Sequence, residues 1–239
     1  MDEVRRLVGR AIIAALVSAF ATPGFAACHL ALVLALDVST SVDEREYALQ
    51  RDGLAAALNS PSVRSALFAT EDVVAISAFE WSGRLQQTPV LEWTVIENKA
   101  ALTSAIQTIR STTRRYNAFP TAMGHALLHA KNLFASAPSC DRRTIDISGN
   151  GVTNDGMDPP WAYRWNDFGD ITVNGLVIRT SDHRIPIYYE REVIRGPESF
   201  VEIADGYDDY ERAMRRKLVR EIGVMMLGQA DPSNTVDNP

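Results

Sequence analysis

The chain is expected to fold as an α/β protein with a mostly parallel central sheet and helices on both faces, a three-layer arrangement. Three observations lead there. The run Leu30-Ala31-Leu32-Val33-Leu34-Ala35-Leu36 is apolar throughout, as in a strand buried on both faces of a parallel sheet. It stops at an acid, Asp37, followed by hydroxyls at Ser39 and Ser41. Further apolar runs of strand length then alternate with segments of helical spacing. At 239 residues, one domain of this kind is the expected number.

The elements follow in order. Asp43-Glu44-Arg45-Glu46 opens a helix with acids in its first turn, favourable to the helix dipole, and Asn59-Ser60-Pro61 stops it. Asp72 to Trp81 is a second strand. Gln86 to Ile96 returns antiparallel to it at an edge, where Pro89 is tolerated. Glu97 to Arg110 is a helix with Ala101, Leu102, Ala105, Ile106 and Ile109 on one face. A polar, Arg-rich loop leads to a helix opening at Thr121 and reaching about Ser136. Arg143 to Ser148 is a strand ending in Ser148-Gly149-Asn150-Gly151. A short helix around Trp161 to Phe168, a buried strand from Asp170 to Ile178 and a short helix from Ile187 to Ile194 come next. A last strand from Ser199 to Ala204 and a terminal helix from Tyr207 to Leu227 complete the domain, with a polar tail from Asp231.

Residues 1–26 read as a signal peptide, outside the fold. Arg5, Arg6 and Arg10 precede an apolar run from Ala11 to Ala21, Pro23-Gly24 breaks it, and cleavage is expected after Ala26. The chain is then exported, periplasmic or secreted. Its removal takes away two acids and three bases and moves the formal charge from −6 to −7. An acidic chain is a poor partner for nucleic acid, and no segment reaches the length of a membrane span. Export gives Cys28 and Cys140 three readings: a disulfide, two free thiols, or lipidation at Cys28 through a degraded Phe25-Ala26-Ala27-Cys28 lipobox. Cys28 lies nine residues before Asp37 and Cys140 ten before Asn150. If those segments are neighbouring parallel strands, the two sulfurs meet at the end of the sheet far from Asp37.

An acid and two hydroxyls after a parallel strand stand where open α/β sheets bind ligands, and all three are oxygen donors suited to a hard divalent cation. Capping of the next helix by Ser39, Ser41 or Asp43 is the alternative. Together with Thr121 and with Ser148/Asn150, the Asp37-Val38-Ser39-Thr40-Ser41 segment resembles the metal-ion-dependent adhesion site of von Willebrand factor type A domains. The segments Asp37–Asp43, Phe79–Ser82, Arg142–Gly151, Ile171–Leu176 and Lys217–Ile222 are similar to an exported bacterial branch of that fold, domain of unknown function 1194. The resemblance implies sheet order 3-2-1-4-5-6 with an antiparallel third strand at the edge. It implies a cation, Mg²⁺ or else Ca²⁺ or Mn²⁺, held by Asp37, Ser39, Ser41, Thr121 and Asn150, and a protein partner binding it through a carboxylate. Two departures stand out: Asn150 replaces the family's acid in Ser-Gly-Asp-Gly, and Phe119-Pro120 precedes Thr121 where a glycine-containing turn is usual. Asp155 and Asp158 are possible substitute acids; Asp146, deeper in its strand, reads as a buried hydrogen-bonding acid.

Other signals are weaker. His125 and His129 share a helical face, but Ala126 stands where a zinc protease needs glutamate, so an ordinary helix face is expected. The Ser148–Gly151 turn lacks both a phosphate-loop lysine and GxGxxG, which argues against a nucleotide. The second acid of aspartyl phosphatases and the Gly-x-Ser-x-Gly hydrolase turn are absent, so no enzymatic activity is expected. Arg114-Arg115 and Arg142-Arg143 read as solvated charges, and the four tryptophans as core or edge packing. The alternatives to a cation-assisted protein-binding domain are a metal-free scaffold in envelope assembly and a Mg²⁺-dependent hydrolase.

Overall fold

The first strand, β1 (Cys28–Asp37), has every residue after Cys28 buried, and its alternation divides two cores. Leu30, Leu32, Leu34 and Leu36 face one, Val33 and Ala35 the other. The computed structural model describes residues 27–223; the expected signal peptide and the polar tail lie outside them. β2 (Val73–Trp81) and β4 (Arg142–Gly149) flank β1 in parallel. β3 (Gln87–Ile96) runs antiparallel on the outside of β2, with Pro89 beside a register irregularity. β5 (Thr172–Ile178) and β6 (Val201–Ala204) complete a six-stranded sheet of order β3-β2-β1-β4-β5-β6. This is the order and the antiparallel edge expected.

Helices α1 (Glu44–Asn59), α2 (Pro61–Leu67), α3 (Lys99–Ser111) and α7 (Tyr210–Gly223) cover the leucine face of β1. Helices α4 (Met123–Leu133) and α6 (Arg184–Tyr188) cover the other, with α5 (Pro159–Trp165) against α4. Three local readings change. Ser60-Pro61 does stop α1, but Ser60 also caps α2 by accepting from the Val63 N–H, with Pro61 at the first helical position where no donor is needed. Pro186 sits within the first turn of α6, so that helix starts at Arg184 instead of Ile187. β6 begins at Val201, two residues later than expected.

Cys28 and Cys140 are joined in a disulfide across 112 residues of sequence, with their Cα atoms 4.4 Å apart. It ties the start of β1 to the approach to β4, where the Asp141 N–H also donates to the Cys28 carbonyl at 2.9 Å. Closing so long a loop restricts the unfolded chain. Reduction, or paired Cys→Ser replacement, is expected to lower unfolding free energy by about 2–4 kcal/mol, read from urea midpoints with and without reductant. The carboxyl end of the sheet should be left intact.

Candidate functional site

Asp37 closes β1 fully buried. Strand alternation puts it on the Val33 and Ala35 face, while Asp146 pairs with Leu34 and Ser148 with Leu36, on the opposite face. The Asp37 carbonyl accepts from Nε2 of Gln50 on α1 at 2.9 Å, and the next N–H, of Val38, donates to the Trp81 carbonyl at 2.8 Å. Oδ1 accepts from the Ser39 N–H at 2.8 Å. Oδ2 is buried and has no hydrogen-bond partner. The end of β4 lies against it: a Cβ added at Gly149 would stand 2.9 Å from Oδ2 and 2.8 Å from the Tyr189 hydroxyl, so this position requires glycine. Burial pushes the Asp37 carboxyl up to about 6, against the opposing pull of the Ser39 hydrogen bonds, the Arg114 guanidinium and the nearby Asn150 N–H.

The loop after β1 leaves its two serines available. Capping of α1 belongs to Asp43, which accepts from the Glu46 N–H at 2.8 Å while the Glu46 carboxylate accepts from the Asp43 N–H at 2.9 Å. Ser39 Oγ instead lies 3.2 Å from Ser41 Oγ, and Ser41 donates to Asn150 Oδ1 at 2.8 Å. Thr121 stands two residues ahead of α4, not inside it. Its N–H donates to Asn154 Oδ1 at 2.9 Å and its carbonyl accepts from the Asn154 N–H at 2.9 Å. Ser41, Thr121, Asn150 and Asn154 line one cleft of about 470 Å³; Asp37 and Ser39 are buried and connect to it through the Ser39–Ser41 hydroxyl contact.

Arg114, read from sequence as a solvated charge, is a clamp. Its side chain is 5% exposed. One terminal nitrogen donates to the carbonyls of Val38 and Ser39 at 2.9 and 3.1 Å, and Nε donates to the Tyr116 carbonyl at 2.8 Å. Thr40 adds two bonds to the Phe119 carbonyl, from its N–H and its hydroxyl, both 2.9 Å. These contacts weld the loop carrying Ser39 and Ser41 to the segment that delivers Thr121. The guanidinium also stands over the Tyr47 ring, whose hydroxyl donates to buried Glu80 at 2.7 Å. Arg114→Met is expected to cost about 2 kcal/mol of stability, measured by chemical denaturation, with Arg114→Lys recovering only part because it lacks the planar fork.

The substitute acids are engaged elsewhere. Asp155 pairs with Arg84 at 2.7 Å, which holds its carboxyl below the usual range, and Asp158 caps α5 through the Trp161 N–H at 3.0 Å. Asp146 is buried as expected and meets Lys217 at 3.0 Å. Ser148 lies 3.4 Å from the Tyr210 hydroxyl, away from Asp37. His129 packs on Phe79 at 4.7 Å, the ordinary helix-face role. Trp81 is core and Trp93 donates to the Leu133 carbonyl, but Trp161 and Trp165 are more than half exposed and stack 6.0 Å apart, contrary to the packing expected of them. Neither Arg142 nor Arg143 is merely solvated: one donates to the Glu221 carbonyl and the other pairs with Asp170.

Comparison with known proteins gives a family and a fold. The profile described as "Protein of unknown function (DUF1194)" matches residues 27–226. No curated protein matches the chain. Among solved structures, proximal thread matrix protein 1 from the mussel byssus aligns with TM-score 0.59 at 15% identity, covering 83% of this chain and 49% of that one. A von Willebrand factor type A structure from Catenulispora acidiphila aligns with TM-score 0.57 at 16% identity, covering 82% and 43%. The pilus adhesin SpaC from Lactobacillus rhamnosus GG, in its open conformation, gives 0.57 at 14%, covering 82% and 30%. The chain thus spans half or less of each of these three proteins, and at such identities the likeness is one of fold. On the match over residues 27–226, the chain belongs to the DUF1194 family, on a von Willebrand factor type A-like fold.

Proposed function

We propose that this is an exported, non-catalytic domain that holds a divalent cation among Asp37, Ser39, Ser41, Thr121 and Asn150 and uses it to bind an acidic group of a protein partner. The unpartnered, fully buried Oδ2 of Asp37 carries the reading. A carboxylate held out of water with half its acceptor capacity unused favours a positive charge beside it. The other four residues supply neutral oxygens at or next to the same cleft, the hard chemistry of Mg²⁺, Ca²⁺ or Mn²⁺. When bound, the ion would supply a Lewis-acidic contact for a carboxylate. The domain's own part is to hold the Asp37 loop with Gln50 and Arg114 and to orient the Ser41 hydroxyl with Asn150. The disulfide supports export to an oxidising compartment.

Among the described residues no three His, Cys, Asp or Glu side chains converge, so Asp37 is the one charged donor of the set. Affinity for the ion should therefore be modest. Asn150→Asp is expected to tighten Mg²⁺ binding about tenfold or more, by adding a negative charge beside the ion while keeping an acceptor for Ser41; calorimetric titration reads it. Partner recognition is tested by capture from an envelope extract with Mg²⁺ or with chelator, using the protein and its Asp37→Ala variant as bait. Partners retained with Mg²⁺ and lost in both other arms support the reading. Retention in all arms favours a metal-free scaffold, for which the Asn at position 150 is the motivating observation. Phosphatase turnover lost in Asp37→Ala would instead make the domain a hydrolase.

A further inference from the structure

A second cleft, of about 850 Å³, opens at the opposite pole of the sheet, where β4 and β5 begin and α7 ends. Beneath it lies a buried cluster of charges. Lys217 is fully buried, with its ammonium 2.6 Å from Glu221 Oε1 and 3.0 Å from Asp146 Oδ1. Asn174 donates to the same Glu221 oxygen at 2.8 Å. Two carboxylates thus share one ammonium away from water, where burial raises the Asp146 carboxyl against the pull of Lys217. Glu221, 3% exposed, lines the cleft, and its second oxygen Oε2 takes no hydrogen bond. Beside it Arg142 donates Nη2 to the Glu221 backbone carbonyl at 2.9 Å, leaving Nε buried and without an acceptor. The Arg220 guanidinium carbon stands over the Phe200 ring, 3.7 Å from its centroid, on the same cleft.

These groups ask for a ligand that carries both charges. Lys217 and Arg142 already offset Asp146 and Glu221 in charge, so a ligand of both signs keeps the cluster neutral while its cation meets Glu221 Oε2 and its anion Arg142 Nε. A cleft with convergent polar groups over a buried charge cluster is the physical signature of a binding site. We propose that this cleft binds an α-amino-acid-type zwitterion, its ammonium on Glu221 and its carboxylate on Arg142. The site is independent of the cation site at the other pole.

The test is calorimetric titration of the full protein, in chelator, with each of the twenty free L-amino acids at millimolar concentration. The best binder is then repeated as its N-acetyl and its methyl ester derivative. At least one amino acid is expected to bind saturably, with each derivative weaker by about tenfold or more. Glu221→Gln and Arg142→Met should each weaken it to a similar degree, and Asp37→Asn should leave it unchanged. Arg142 is half-buried, so its variant keeps the test standing if Glu221→Gln does not fold. Absence of saturable binding for all twenty overturns the proposal, as does binding that survives Arg142→Met and both derivatives.

Discussion

Asp37→Asn is expected to make the protein more stable at neutral pH in chelator, by on the order of 3 kcal/mol, while abolishing Mg²⁺ binding. The gain follows from linkage. The folded carboxyl is held at about 6, against its ordinary 3.8 in the unfolded chain, because burial penalises its charge. Between those values the folded chain keeps a proton that the unfolded chain has released, so stability falls as pH rises through the window and the deficit is complete above about 6. Asparagine retains the oxygen that accepts from the Ser39 N–H and carries no charge. The two proteins should therefore match below the lower value, separate through the window and keep the full difference above the higher one. Urea unfolding across this range measures it; a variant no more stable than the parent at neutral pH would remove the argument that Asp37 is held for function at a cost in stability.

Lys217→Met is expected to cost about 3–5 kcal/mol, because it leaves Asp146 and Glu221 buried together with no cation between them. The loss should shrink on acidification. Without the ammonium the folded-state Asp146 carboxyl is raised further, so the variant regains stability as the pH falls through its folded value and it is neutralised. A triple variant carrying Lys217→Met, Asp146→Asn and Glu221→Gln should recover most of the loss, since apolar and neutral groups replace all three charges. Comparing the single and triple variants by chemical denaturation separates an uncompensated charge from a mere packing defect, which the triple variant would not repair.

The central elements were legible because their signals are local. An unbroken apolar run ending in Asp37 marks a central parallel strand, and Pro89 marks an edge; both stand where expected. The site's oxygen donors were visible as motif residues, and the structure brings Asp37, Ser39, Ser41 and Asn150 into one connected group with Thr121 on the shared cleft. What holds them was not legible. Arg114 bonds to Val38 and Ser39 across 76 and 75 residues, and nothing near it in sequence separates it from exposed Arg115. Asn154 holds Thr121 across 33 residues, and an asparagine in a loop rich in Asn, Asp and Gly carries no such mark. The Asp146–Lys217 pair is likewise a product of topology: periodicity shows a polar residue on a buried face without naming its partner. Whether Ser39, Ser41 or Asp43 caps α1 was open in the sequence because all three residue types cap well; the reciprocal bonds of Asp43 and Glu46 settle it.

The most direct test of the cation site is calorimetric titration of Mg²⁺ into the purified protein at neutral pH, beside its Asp37→Asn and Asn150→Asp variants. One saturable site in the parent, tighter in Asn150→Asp and absent in Asp37→Asn, is the expected result. Absence of saturable binding in both the parent and Asn150→Asp, or equal binding in the parent and Asp37→Asn, would contradict it.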